Sequence, residues 1–173
     1  LAPAAPFSAA ETRAGDTAAI LFTSGSTGAP KGAVYTHGNF AAQVDLLRER
    51  FHIEPGEVDL ATFPLFGLFD PALQMTAVIP DMDFTRPGSV EPRNIIGPVL
   101  EYGVTNLFGS PALLDRVSRA AGGTRLPSVK RVLSAGAPVS PAILGRMQAM
   151  LTGDARIHTP YGATEALPVC AIA

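Results

Sequence analysis

Hydrophobic positions fall into short runs divided by turn residues. Asp16-Thr-Ala-Ala-Ile-Leu-Phe22 is an apolar run that predicts a buried strand over 17–23. Gly-Ala-Val-Tyr-Thr predicts a short strand at 32–36. The period then changes. Phe40, Val44, Leu47 and Phe51 fall at i, i+4, i+7 and i+11, which predicts a helix over about 38–51 with one apolar face. Val58–Phe63, Val104–Phe108, Val129–Leu133 and Arg156–Thr159 read as strands. Helices are expected near 70–79, opening at Asp70-Pro71, and near 92–102, opening at Pro92. Ser110-Pro111 and Ser140-Pro141 each have the form of an N-cap followed by proline at the first helical position. Strands alternating with helices predict an α/β fold with a mostly parallel sheet. In such sheets ligands bind at the carboxyl ends of the strands. Residues 1–15 read as a loose Ala/Pro lead-in, and no repeat or low-complexity tract follows.

Residues 22–32, Phe-Thr-Ser-Gly-Ser-Thr-Gly-Ala-Pro-Lys-Gly, carry the strongest chemical signal. Gly25 and Gly28 let backbone approach a bulky anion, and successive N–H groups in such a turn form an anion-binding nest. Thr23, Ser24, Ser26 and Thr27 offer hydroxyl donors, and Lys31 offers a mobile positive charge. A flexible Gly/Ser linker has a similar composition. A linker has no use for the strand before this segment or the Pro-Lys-Gly after it. The order is not that of a Walker A loop, because Lys31 follows Pro30 and precedes Gly32.

Two further segments follow strand-like runs. Tyr161-Gly162-Ala163-Thr164-Glu165 combines a ring on which a purine can stack, a glycine for a close turn, a hydroxyl and a hard oxygen ligand suited to Mg²⁺. Ser134-Ala135-Gly136-Ala137-Pro138-Val139 would press bare backbone against a flat base. Taken alone, each also reads as an ordinary strand-to-helix turn.

Together these segments resemble the adenylate-forming superfamily of acyl-CoA synthetases, luciferases and peptide-synthetase adenylation domains. The resemblance runs over consecutive positions Thr23 to Gly32 and is repeated at Tyr161–Glu165 and Gly136–Pro138. It implies that residues 16–173 are part of the large N-terminal domain of an enzyme that activates a carboxylate with ATP. By that resemblance Thr23, Ser24, Gly25, Ser26, Thr27, Gly28 and Lys31 hold the β- and γ-phosphates. Gly136, Ala137, Pro138, Tyr161 and Gly162 hold the adenine. Thr164 orients the α-phosphate, and Glu165 binds Mg²⁺. Lys31, Thr164 and Glu165 are the residues implied in the chemistry. The ribose-binding aspartate and the C-terminal catalytic lysine are expected outside this chain. Thr152-Gly153-Asp154 has the letters of the ribose element but precedes the tyrosine motif, so it reads as a helix C-terminal turn with Gly153 at the cap.

Phe63-Pro-Leu-Phe66-Gly67-Leu-Phe69-Asp70 resembles the superfamily's Pro-Leu-Phe-His segment beside the acyl pocket, with Gly67 where the histidine is expected. Phe66, Phe69, Phe108, Gly109 and Ser110 are the implied pocket residues. Each phenylalanine also fits an ordinary core position. Over most of the chain the resemblance is to the olefin β-lactone synthetases of bacterial hydrocarbon biosynthesis, carried by Phe63–Leu73, Ile79–Pro87 and Tyr161–Pro168. It implies ATP-dependent activation of a long-chain β-hydroxy acid, then ring closure to a β-lactone with release of AMP. The alternatives are a fatty-acid–CoA ligase, which would use coenzyme A, a nucleotide-binding module without catalysis, and a structural or partner-binding α/β domain. The resemblance also implies assembly with other hydrocarbon-biosynthesis enzymes. His37 is expected at a helix start, His52 at the surface, and His158 at a strand end.

Composition narrows the classes. The 173 residues are 47% hydrophobic, enough for one substantial core. A net charge of −2 gives no basis for nucleic-acid binding. Only 16% of residues are charged and the mean hydropathy is +0.24, which leads to the expectation that some surface is normally covered. The single Cys170 excludes an internal disulfide, and no Cys/His cluster points to zinc. No apolar run has the length of a membrane span. The N-terminus lacks the features of a signal peptide, so a cytoplasmic location is expected. The absence of a starting methionine leads to the expectation of a longer parent.

Overall fold

The link of residues 24–30 decides how the first two strands relate. Parallel strands need a crossover of about a dozen residues or more, so so short a link permits only a hairpin. In the computed structural model, which describes residues 8–23 and 29–173, β1 (Thr17–Thr23) and β2 (Lys31–Thr36) pair antiparallel, with Thr23 opposite Lys31. They form a two-stranded sheet of their own. The first strand therefore does not join the parallel sheet.

Thr36 caps helix α1 (His37–Phe51) in a reciprocal box: its hydroxyl accepts from the Asn39 N–H at 3.2 Å, and the Asn39 carbonyl accepts from the Thr36 N–H at 2.9 Å. The chain then builds β3 (Val58–Leu60), the single turns α2 (Pro64–Gly67) and α3 (Asp70–Leu73), and β4 (Thr76–Val78). The helix expected over 70–79 is thus one turn followed by a strand. Gln74 adopts a left-handed φ of 61° and ends α3, and β-branched Thr76 and Val78 suit the ladder beside β3. The strand expected over 58–63 is shorter for a related reason: Pro64 opens α2 at its first position.

The remaining elements are α4 (Arg93–Tyr102), β5 (Asn106–Phe108), α5 (Pro111–Arg119), β6 (Arg131–Leu133), α6 (Pro141–Met150), β7 (Arg156–Ala163) and β8 (Ala166–Ile172). Ser110 accepts from the Leu113 N–H at 3.3 Å and Ser140 from the Ile143 N–H at 3.4 Å, so both expected caps form. Helix α6 ends at Met150 with Leu151 as its cap residue. Gly153 is not that cap. It sits in the following turn, where its φ of 59° favours glycine.

The main sheet has six strands in the order β4-β3-β5-β6-β7-β8. All neighbours are parallel except β7 and β8. Alternation sends Val132 to one face and Leu133 to the other. The first face packs Leu60, Leu107 and Val132 against Ile95, Leu113, Val117 and Met147 of α4, α5 and α6. The second packs Leu133 against Phe51, Leu73 and the Val44 and Leu47 stripe of α1. Beneath the second face Glu57 is clamped by Arg131, which also donates to the His52 carbonyl at 2.9 Å, and by Asn106 at 2.7 Å. Burial raises the Glu57 carboxyl, but the guanidinium and amide outweigh it and hold it below the usual range.

Candidate active site

Strand β7 carries the tyrosine motif beyond the parallel sheet. Its first half pairs with β6 as far as Leu133 opposite His158. Past that point it pairs with β8, with Tyr161 opposite Cys170 and Ala163 opposite Ala166. Thr164 and Glu165 are therefore the two residues of a tight strand-to-strand turn, not the start of a helix. Gly162 is required by close approach: a Cβ there would stand 2.6 Å from Leu167 Cδ2 and 2.9 Å from the Ala166 carbonyl oxygen. The Tyr161 ring is 68% exposed, which leaves a face free for stacking. Glu165 is exposed, and among the described residues its carboxylate forms no ion pair.

A buried tyrosine joins this turn to the first hairpin. The Tyr35 hydroxyl on β2 donates to the Thr164 carbonyl. Its ring stacks on Phe40 with centroids 5.3 Å apart, and Phe40 meets the edge of Phe69 at 5.8 Å. From α1, Gln43 donates to the Leu167 carbonyl at 2.9 Å and Arg50 to the Ala171 carbonyl at 2.8 Å. Hairpin and helix thus fix β8 and the turn before it. Tyr35 lies four residues from Lys31, about 13 Å along an extended strand. At the mouth of the hairpin the Thr23 hydroxyl donates to the Lys31 carbonyl at 3.5 Å, and the Lys31 side chain is exposed. Ser24, Gly25, Ser26, Thr27 and Gly28 lie outside the described residues.

Gly136, Ala137 and Pro138 form an exposed loop at the carboxyl end of β6. Gly136 has a φ of 91° and open space where a Cβ would stand, so conformation rather than crowding accounts for glycine there. Gly136 and Tyr161 each lie three residues beyond the last β6–β7 register pair. An exposed ring, an exposed backbone loop, a cation and an unpaired carboxylate suit the base, phosphates and metal of Mg·ATP. Tyr161 with the 136–138 loop would hold the base, Lys31 the phosphates and Glu165 the metal. The metal would supply neutralisation of phosphate charge.

The expected acyl-pocket residues separate into groups. Phe66 meets Phe108 edge-on at 4.7 Å and Phe63 at 4.9 Å, and the three form a partly exposed aromatic ledge at the carboxyl ends of β3 and β5. Phe69 is not part of it. It turns to Phe40 and the core under α1. Gly109 is buried against Leu114, whose Cδ2 would be 2.7 Å from a Cβ, and Ser110 is occupied in capping α5. Gly67 is where a histidine was expected. A Cβ there would stand 3.0 Å from the Ala61 methyl, so a larger residue needs that contact to yield.

Two further carboxyls, on β3 and α3, were not singled out from the sequence as chemistry. Asp70, which had been read only as a helix start, is 4% exposed, and its Oδ2 has no hydrogen-bond partner among the described residues. Burial raises its pKa to about 6. Burial, and then the charge of Asp70, raise Asp59 on β3 to about 8. Sequence offers no signal for either, because a three-residue strand and a one-turn helix leave no periodicity from which to read burial. His37 opens α1 and His52 is exposed, as expected. His158 is buried edge-on against Phe51 at 5.2 Å, and burial, followed by the charges of Arg50 and Arg131, lowers its pKa.

Known proteins place the whole arrangement. The profile of the AMP-binding enzyme family matches residues 2–173. The olefin beta-lactone synthetase of Xanthomonas campestris pv. campestris is 58% identical over 94% of this chain, and that of Stenotrophomonas maltophilia is 53% identical over 94%. The chain spans 29% of the length of each of these relatives. Among solved structures, O-succinylbenzoate coenzyme A synthetase (MenE) from Bacillus subtilis, in complex with AMP, shares the fold with a TM-score of 0.76 at 20% identity, covering 93% of this chain and 33% of its own. A profile match across nearly every residue, on a mostly parallel sheet, makes this chain a member of the AMP-binding enzyme family.

Proposed function

We propose that the protein carrying this chain activates a long-chain β-hydroxy fatty acid with ATP, releasing pyrophosphate, and closes the acyl adenylate to a β-lactone, releasing AMP. The observation that carries this reading is the hydrogen bond from Tyr35 to Thr164, which ties the Lys31 hairpin to the Thr164–Glu165 turn. The olefin beta-lactone synthetase relatives support the choice of product.

The chemistry follows from charge. A carboxylate is a poor acylating agent, and adenylation gives it a good leaving group. Lys31 would hold the β- and γ-phosphates with Ser24, Ser26, Thr27 and the backbone of Gly25 and Gly28, and Thr23 would brace the hairpin mouth. Thr164 would orient the α-phosphate and Glu165 would hold Mg²⁺, so that charge developing on phosphate oxygens is met by fixed positive charge. Tyr161, Gly162 and the 136–138 loop would hold the adenine. The ledge of Phe66 and Phe108 would take the acyl chain, beside Gly109 and Ser110, with Phe69 supporting it from behind. An internal hydroxyl then replaces an external thiol as nucleophile, which is favoured by proximity. On this reading residues 16–173 carry nucleotide recognition, and efficient turnover depends on further residues of the relatives' length. We place the reaction in the cytoplasm, in assembly with other hydrocarbon-biosynthesis enzymes. Among the described residues no helix is long and apolar enough to cross a membrane.

The test is mass spectrometry of products from the full-length protein with ATP, Mg²⁺ and a long-chain β-hydroxy acid. A product lighter than the acid by one water, formed with AMP and without coenzyme A, supports the reading. A thioester formed only with coenzyme A would make the protein an acyl-CoA ligase instead.

A further inference from the structure

Ring closure needs a group to take the hydroxyl proton, and the nucleotide residues above supply none. Among the described residues Asp70 Oδ2 is buried without a hydrogen-bond partner, an arrangement that costs free energy unless something completes it. This oxygen lies behind Gly67, 3.7 Å from the point where a Cβ would stand. Gly67 is partly exposed and directly follows Phe66, whose ring packs on Phe108. The carboxyl oxygen therefore lies beside the backbone of residue 67, the sequence neighbour of a ledge residue, and residue 67 has no side chain to fill the space next to it. The charge of Asp70 also reaches Asp59 on β3 and helps raise its pKa.

We propose that Asp70 is the proton acceptor for the substrate hydroxyl during lactone closure. This rests on the lactone-forming reading. The hydroxyl oxygen attacks the carbonyl carbon of the acyl adenylate and its proton passes to Asp70 Oδ2. The bond from that carbon to the AMP oxygen breaks, AMP leaves with the electron pair, and Asp70 returns its proton to solvent. The two carboxyls divide their states as this task requires. With Asp59 raised to about 8 and Asp70 to about 6, Asp59 holds a proton at neutral pH while Asp70 is free to accept one. The other charged groups near α3 come from α1: Arg48, which donates to the Ala72 carbonyl at 2.9 Å, and Asp45, which pairs with Arg48 at 3.9 Å. Strand β4 and turn α2 contribute none.

The experiment separates the two half-reactions in the full-length protein. Acid-dependent pyrophosphate release reads adenylation, and lactone formed from the accumulated adenylate in a single turnover reads closure. Asp70→Asn is expected to keep adenylation within about threefold and to slow closure by about 10²- to 10⁴-fold, the usual range for a general base. Closure in the wild type is expected to fall with an acid limb near pH 6. Unchanged closure in Asp70→Asn, or loss of both half-reactions in a folded variant, overturns the proposal. If the variant does not fold, a wild-type closure rate that is flat from pH 5 to 7 overturns it. A wild-type protein that releases pyrophosphate yet forms no lactone overturns the functional reading, and this proposal with it.

Discussion

The Tyr35 hydroxyl donates to the Thr164 carbonyl, across 129 residues of chain, and links the hairpin that ends in Lys31 to the turn that carries Glu165. Tyr35 is 6% exposed and stacked on Phe40, so the donor is held by packing as well as by the bond. Tyr35→Phe keeps the ring and removes the bond. The loss of one part-buried hydrogen bond costs about 1 kcal/mol of stability. The larger expected effect is functional: the KM for ATP in acid-dependent pyrophosphate release rises about three- to tenfold, while the denaturation midpoint falls only by the shift that about 1 kcal/mol gives. A variant with wild-type KM would show that the hairpin and turn are positioned independently.

Gly162→Ala forces a methyl against Leu167 and the Ala166 carbonyl. Overpacking of this kind costs about 1–3 kcal/mol, and here the strain falls on the turn that presents Thr164 and Glu165. Adenylation is expected to drop at least about tenfold. Gly136→Ala has space for its methyl but sits at positive φ, so it is expected to cost about 1 kcal/mol and less activity. The order of the two variants in a pyrophosphate-release assay checks this.

Glu165→Gln removes a carboxylate that supports nothing else among the described residues. Stability is expected to be unchanged within about 0.5 kcal/mol, as for a surface substitution. The Mg²⁺ concentration for half-maximal adenylation is expected to rise about tenfold or more. An unshifted magnesium titration would remove Glu165 from the metal site.

Arg131→Met leaves Glu57 buried without its guanidinium. Breaking a buried pair from one side costs about 3–5 kcal/mol, so the variant is expected to denature at much lower urea concentration. Arg131→Met combined with Glu57→Leu should recover most of the loss. Failure to recover would mean that Arg131 acts mainly through its other acceptors, the His52 carbonyl and the Asn106 side-chain oxygen.

Asp59 and Asp70 give a pH dependence of known sign. Both ionise at higher pH in the fold than in the unfolded chain, so their protonated forms favour folding. Their contribution is complete below about pH 4 and is lost as pH rises through about 6 for Asp70 and about 8 for Asp59. Asp59→Asn is expected to flatten the fall in denaturation midpoint between about pH 4 and 8 and to raise the midpoint at the alkaline end. Parallel curves for wild type and variant would contradict this.

Much of this architecture is legible in the residues. Phe40, Val44, Leu47 and Phe51 announce α1, and Ser110 and Ser140 announce α5 and α6, because caps and a 3.6-residue period are local physics. Pairing is not local. Nothing within Thr17–Thr23 distinguishes a parallel partner from an antiparallel one, although the short link to Lys31 already implied a hairpin. Strand β8 went unread because Pro168 argues against a strand interior, whereas an edge position tolerates it. Tyr35 and Asp70 were also missed, since their importance lies in what tertiary packing sets beside them. Tyr161, Gly162, Thr164 and Glu165 were singled out from a motif, and the structure sets them on a strand and the turn after it rather than at a helix start.

The most direct test of the central claim, that these loops form an adenylation site, is ATP–pyrophosphate exchange by the full-length protein with and without a long-chain β-hydroxy acid. The account predicts exchange that requires the acid and falls at least about 100-fold in both Lys31→Ala and Glu165→Gln. Absence of exchange with every carboxylic acid tried, or exchange that survives both substitutions, would contradict it.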